Sequence, residues 1–178
     1  GFNRNRKNFG QARADRDAMR ADFRRFGDDR QIDMGDPSAP RRDPFGPEGG
    51  IAVLRGNLAP GGAVIKHFSV PKEMHVHIGP ARVFDTEDLA VEALLSREVK
   101  PGDVVIIRYE GPKANGMPEM YYATAIIAAS KELSATCAVI TDGRYSGAAK
   151  GPAVGHVTPE AMDGGPIALV HEGDLIEK

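Results

Sequence analysis

From Ile51 onward short apolar runs alternate with turn residues, whereas the first fifty positions contain almost no such runs. "IAVLRGNL" and "AVIKHF" read as short strands on either side of the turn "APGG". "ARVFD" reads as a further strand. "TEDLAVEALLSREV" then reads as a helix, with Leu89, Ala93 and Leu94 on one face and Asp85 as its N-cap. After the turn "PGD", "VVIIRY" is a continuous apolar run, the pattern of a strand buried on both faces. "EMYYATAIIAAS" reads as a second helix and "ATCAVITD" as a second buried strand. "VTPEAMDGG" fits a short helix with Thr158 as cap and Pro159 at the first helical position. "PIALV" and "DLIE" read as closing strands. Several strands with only two good helices predict a mixed α/β domain, a barrel or sandwich with flanking helices. A regular doubly wound sheet would need more crossovers.

Composition divides the chain at about residue 48. Gly1 to Phe26 carries eight basic and three acidic residues, and Gly27 to Gly50 three basic and six acidic. "QARADRDAMRADFRRF" places Met19, Phe23 and Phe26 at helical spacing, and "GDPSAPRRDPFGPEGG" reads as a linker because its prolines and glycines oppose both helix and ladder. The expected organisation is a polar, mobile or partner-dependent segment over 1–48 and a folded domain over 49–178. The basic arm raises the alternative of nucleic-acid binding, which its interleaved aspartates weaken. The net charge of −2 gives the whole chain no polycationic character. No stretch approaches the length of a membrane span and no apolar signal core precedes the domain, so a soluble cytoplasmic protein is expected. The single cysteine, Cys137, excludes an internal disulfide and any cysteine-rich metal site built by this chain alone.

The chemistry-bearing stretches are few. In "AVITDGRYSGAAKG" an apolar strand opens into Gly143, Gly147 and Gly151 around Ser146, a form that serves equally for a tight turn or for holding a short side chain in a cleft. It is not a phosphate loop, because Lys150 does not directly follow the second glycine and no Ser or Thr comes after it. It lacks dinucleotide spacing, and "GRYSG" misses the hydrolase elbow by one position. His75 and His77 in "HVH" would share a face of an extended segment, where a solvated pair competes with a metal site. His156 is a candidate base or a satisfied loop histidine. In "RYEGPKANGMPEMYYAT" a carboxylate at the strand-to-helix junction can cap the helix, or it can ligate a hard cation such as Mg²⁺.

Four blocks carry a resemblance: "GGIAVLRGNLAPGGAVIK", "GPARVFDTEDLAVEALL", "KPGDVVIIRYEGPKANGMPEM" and "ITDGRYSGAAKGPAVGHVTPEAMDGGPIALVHEGDLIE". Together they resemble the C-terminal domain of the dihydroxy-acid dehydratase family, which also includes 6-phosphogluconate and sugar-acid dehydratases. The likeness runs from about Gly49 to Glu177. It implies a swivelling β/β/α barrel-like fold and a hydro-lyase that converts 2,3-dihydroxy acids, sugar or branched-chain, into 2-keto acids. It implies that Glu119 is a Mg²⁺ ligand and Ser146 the catalytic base, with Arg144 and Gly147 at the substrate and His156 as an alternative base. It further implies a [2Fe–2S] iron–sulfur cluster held by an N-terminal dehydratase domain that these residues do not contain, and a homodimer as the complete enzyme. This chain by itself is then expected to be inactive. The alternatives are a stand-alone domain that binds a small acid or metal without catalysis, and a nucleic-acid-binding protein acting through its basic arm.

Overall fold

The computed structural model describes residues 50–147 and 149–178. The segment 1–48, its amphipathic stretch and its linker lie outside the described residues. Among the described residues seven strands form one curled, half-barrel sheet flanked by few helices. In chain order they are β1 (Ala52–Leu54), β2 (Gly62–Ile65), β3 (Ile78–Phe84), α1 (Glu87–Leu95), β4 (Val104–Ile107), α2 (Tyr121–Ala129), α3 (Leu133–Thr136), β5 (Ala138–Thr141), β6 (Ala153–Thr158) and β7 (Leu175–Glu177). The sheet order is β1-β2-β6-β5-β4-β3-β7. The four central strands β3 to β6 run parallel, while β1, β2 and β7 close the edges antiparallel. None of the helices among the described residues is long and apolar enough to cross a membrane.

Strand β4 shows why its sequence is uniformly apolar. All four of its side chains are fully buried. Successive side chains point to opposite faces, so Val104 and Ile106 join Ala138, Ile140, Val154 and Ile167 in one core, while Val105 and Ile107 join Val139, Leu94, Ala123 and Ile127 in another. Each of the valine, leucine and isoleucine side chains contributes about 1.5–3 kcal/mol on burial. Helices α1 and α2 are the crossovers that cover the second face. The connection from β5 to β6 contains no helix among its described residues, so the serine-bearing loop is itself the crossover.

Several expectations are corrected. Thr86 caps α1, its hydroxyl accepting from the Leu89 N–H at 3.3 Å, whereas Asp85 is paired with Arg108 at 2.7 Å. Leu89 is 49% exposed, and the buried stripe is Ala90, Ala93 and Leu94. "PIALV" is a 3₁₀ turn over Pro166–Leu169, because Pro166 has no N–H for a ladder and the Ala168 N–H returns to the Gly165 carbonyl. Thr158 ends β6 instead of capping a helix, and only a 3₁₀ turn at Ala161–Asp163 follows. His75 is in the helical region, not an extended one, and the His77 ring meets the Gly102 carbonyl at 3.1 Å.

This packing distinguishes two apolar residues. Ile106→Ala is expected to lower the unfolding free energy by about 2–5 kcal/mol, as deep cavities do. Leu89→Ala should change it by less than about 1 kcal/mol, because half of that side chain already lies in water. Urea melts of the two variants check the contrast, and equal losses would contradict the assigned face of α1.

Candidate functional site

The loops that follow β4, β5 and β6 meet at one buried carboxylate. Asp142, 1% exposed, accepts from the backbone N–H groups of Tyr109 (3.2 Å), Glu110 (3.0 Å) and Ala161 (2.8 Å). Glu110, 2% exposed, in turn accepts from the Glu87 N–H at the start of α1 (2.9 Å) and from the Asn115 amide (2.6 Å). The Glu87 carboxylate accepts from the Ala123 N–H in the first turn of α2 (3.0 Å). Asp142 thus ties the strand-end loops together, while Glu110 and Glu87 meet N–H groups at the starts of α1 and α2, where the helix dipole favours negative charge. Another buried acid, Glu160, accepts from the Lys113 N–H, and a side chain at Gly111 would collide with its carboxylate. That close approach explains the glycine in "YEGP".

The helix-cap reading of "GMPEMYY" is settled by the same contacts. Met120 is the N-cap of α2 and makes no side-chain cap bond; the acid serving that helix is Glu87. Glu119 points elsewhere. Its carboxylate meets the Arg144 guanidinium at 2.5 Å, and Arg144 also donates through Nε to the Met117 carbonyl at 3.0 Å. The backbones bridge as well, with the Met120 N–H donating to the Arg144 carbonyl at 2.8 Å. Both side chains remain nearly half exposed.

Ser146 follows two residues later, between anchored points. The hydroxyl of Tyr145 is buried without a hydrogen-bond partner among the described residues, and desolvation, with the Glu87 charge second, pushes its pKa well above the ordinary range. A Cβ on Gly155 would lie 3.1 Å from the Tyr145 ring, so β6 passes directly over it. On the other side, Lys66 donates to the Ser146, Gly147 and Ala149 carbonyls. His156, exposed and at φ 57°, donates its N–H to the Gly143 carbonyl at 2.8 Å. It lines an open cavity of about 420 Å³ with Lys113, Met117, Asp142 and Glu160.

The structure therefore joins Glu119 to Arg144 and sets Ser146 and Gly147 on the same loop, while the described contacts of His156 reach that loop only through backbone. Sequence reasoning missed Asp142, Glu87 and Lys66, and met Glu110 only as a member of the loop in "RYEGPKANGMPEMYYAT". Asp142 had a signal, as the polar residue that ends the apolar run "AVIT"; Lys66 had only its place after "AVI".

Metal chemistry fits this donor set unevenly. The half-exposed Glu119 carboxylate offers a hard oxygen of the kind Mg²⁺ takes one or two of from a protein. Among the described residues no group of three His, Cys, Asp or Glu side chains is placed to hold an ion. An iron–sulfur cluster does not fit. Cys137 is fully buried, its Sγ lies 3.2 Å from the Lys100 carbonyl, and burial pushes the thiol pKa up.

Comparison with known proteins bears on this arrangement. The model of the dihydroxy-acid/6-phosphogluconate dehydratase C-terminal family matches residues 39–178. The chain is 60% identical over 135 residues to the dihydroxy-acid dehydratase of Acetivibrio thermocellus, covering 75% of this chain and 24% of that protein. It is 57% identical over 139 residues to the dihydroxy-acid dehydratase of Clostridium novyi, covering 78% and 25%. With that of Methanosarcina barkeri the identity is 56% over 135 residues, covering 75% and 24%. The chain spans about a quarter of the length of these curated relatives.

The carboxylate linkage has a consequence in solution. Burial raises the Glu87 pKa above its ordinary 4.5, against backbone hydrogen bonds that lower it. The folded state therefore holds the Glu87 proton more tightly than the unfolded chain, and the stability this gives is lost as pH rises through the window just above 4.5. Glu87→Gln keeps an oxygen for the Ala123 N–H and should remove that part of the pH dependence. Glu87→Ala should instead cost about 1 kcal/mol at neutral pH, the usual loss of a helix cap. Denaturation curves across pH 4 to 8 read both effects, and parallel curves for wild type and Glu87→Gln would exclude the assignment.

Proposed function

The chain belongs to the dihydroxy-acid/6-phosphogluconate dehydratase C-terminal family, and from that premise we propose that it is the part of a hydro-lyase that presents the proton-abstracting serine to a 2,3-dihydroxy acid. The single observation that carries the reading is the bridge between Glu119 and Arg144. It brings the "GMPEM" and "DGRYSG" stretches together where β4 and β5 end. Crevices outside the carboxyl ends of parallel strands are where α/β sheets bind ligands.

In this reading the C2 proton of the acid passes to Ser146 Oγ. The electron pair of that C–H bond becomes the C2–C3 double bond as the C3–O bond breaks, and the departing hydroxyl would leave as water by taking up one proton, which balances the one that Ser146 Oγ removed from C2 and returns to solvent. The enol then tautomerises to the 2-keto acid. A serine hydroxyl is a poor base in water. A divalent cation held through Glu119 supplies, when bound, the positive charge that favours its ionised form. Among the described contacts Arg144 has Nε and Nη1 engaged by Met117 and Glu119, so Nη2 would be the part of its guanidinium to meet the acid, and the Gly147 backbone would let the substrate approach. His156 is the alternative base. The cluster has no ligands in this chain, so its place is in an N-terminal dehydratase domain. That domain would complete the site as partner, within a homodimer, against which this unit would swivel.

Two variants test the roles, each in an enzyme completed by a cluster-bearing N-terminal domain. Ser146→Ala should lower turnover by at least about a hundredfold, the lower range for losing a positioned general base. Exchange of the substrate's C2 hydrogen with solvent should vanish with it. Persisting exchange at the normal rate would move the base to another residue, with His156 first. A turnover within about threefold of wild type, under 1 kcal/mol of barrier, would reduce Ser146 to a turn residue.

Glu119→Gln keeps the shape and an acceptor for Arg144 while removing the charge. Mg²⁺ should be held more weakly and turnover should fall, with the melting temperature nearly unchanged. Equilibrium dialysis with Mg²⁺ measures the first, and unaltered metal content with reduced stability would make Glu119 a structural partner of Arg144 alone.

A further inference from the structure

Lys66 stands where β2 leaves the sheet, one residue past Ile65. Its side chain crosses to the loop after β5. Nζ lies 3.3 Å from the Ser146 carbonyl oxygen, 2.8 Å from that of Gly147 and 2.5 Å from that of Ala149. Three acceptors use the whole donor capacity of an ammonium group. Three carbonyl dipoles aimed at one point repel one another unless a cation sits there, so the lysine and the loop conformation require each other.

The surrounding backbone is built to hold this contact. The Ser69 N–H and hydroxyl both donate to the Lys66 carbonyl, at 3.0 and 2.8 Å. The Ser69 carbonyl then accepts from the Gly151 N–H at 3.3 Å, and the Ala149 N–H closes onto the Ser146 carbonyl at 3.2 Å. The segment after β2 and the serine loop therefore clasp each other from both ends of the contact. In these three contacts the ammonium meets backbone oxygens and no carboxylate, so its charge is not cancelled there by an acid. Desolvation lowers its pKa from the ordinary 10.5.

We propose that Lys66 is a positioning residue for the dehydration: by holding the carbonyls of Ser146, Gly147 and Ala149, its ammonium fixes the backbone on both sides of the serine-loop turn so that the serine hydroxyl is presented. The inference rests on the reading of Ser146 as base for its catalytic half. Its structural half, the clamp, stands independently. Lys66 does not touch the reacting atoms, and its effect is transmitted through the three carbonyls.

The test has two arms. In the 178-residue chain, amide hydrogen exchange at Ala149 and Gly151 should quicken at least about tenfold in Lys66→Met, with exchange in β4 and β5 unchanged. Lys66→Cys followed by aminoethylation with bromoethylamine rebuilds a near-isosteric ammonium, since Cys137 is buried, and should slow the exchange again. If Lys66→Met does not fold, the comparison of Lys66→Cys before and after aminoethylation carries this arm. Unchanged loop exchange, or quickening spread evenly through β4 and β5, overturns the clamp. In the completed enzyme, Lys66→Met should lower kcat at least about tenfold with KM within about threefold, as misplacement of a reacting group does. Lys66→Arg should recover part of the loss. A loosened loop with unchanged kcat overturns the positioning role. An active Ser146→Ala enzyme would sink the base assignment while leaving the exchange result to decide the clamp.

Discussion

The buried carboxylate of Asp142 ties together the loops that leave the carboxyl ends of β4, β5 and β6. An ionised acid so far from water costs several kcal/mol unless hydrogen bonds replace its hydration. Here three backbone N–H groups from two separate loops do so, and charge-assisted bonds of this kind are roughly twice as strong as neutral ones. The bonds constrain their donors in return. Tyr109 adopts φ 61°, a left-handed conformation uncommon for a bulky residue, and its N–H is one of the three that Asp142 receives. Strand ends that would otherwise fray in independent loops are fixed relative to one another.

The same logic extends outward through Glu110 and Glu87. Both helices begin at the carboxyl end of the parallel strands, so their positive ends face the same edge of the sheet. Acids supplied by neighbouring elements meet those ends, and each acid belongs to a segment whose own N–H is held by the previous one. Local sequence therefore does not cap these helices alone; tertiary contacts do. Glu119, left out of this linkage, keeps a half-exposed carboxylate beside Arg144. Buried acids organise the site, and the exposed one remains available to it.

What was legible in the sequence follows from the range of each interaction. The strands "VVII" and "AVIT" and the helix positions were readable because burial on two faces, or on a 3.6-residue stripe, is written locally. Strand β6 was not. "AVGHVT" breaks its alternation with Gly155 and with His156 at positive φ, and one of its partners, β2, lies far away in sequence. "PIALV" is too short for its apolar content to separate strand from 3₁₀ turn. At the site, the "DGRYSG" and "GMPEM" stretches were found, the first as a glycine-rich break and both through family likeness. Apart from the polar break that Asp142 makes after "AVIT", the carboxylate linkage and Lys66 were not legible, because an acid or a lysine that meets backbone groups has no partner side chain in the sequence to reveal it.

That asymmetry also orders the charges around Ser146. Asp142, Glu110, Glu87 and Glu160 direct their oxygens at N–H groups. Lys66 and Arg144 direct their N–H groups at carbonyls of the loops after β5 and β4, with Glu119 the one acid among their described partners. The serine segment is thus bordered by donors and cations, the surroundings that favour an ionised oxygen over a neutral hydroxyl. Removing a proton from carbon also requires that the departing hydroxyl be stabilised. No thiolate set in this chain and no three-ligand metal group among its described residues supplies that. In the proposed dehydration the chemistry would divide along this line: this domain would supply the base and one carboxylate, and the groups that act on the leaving oxygen would come from the N-terminal domain.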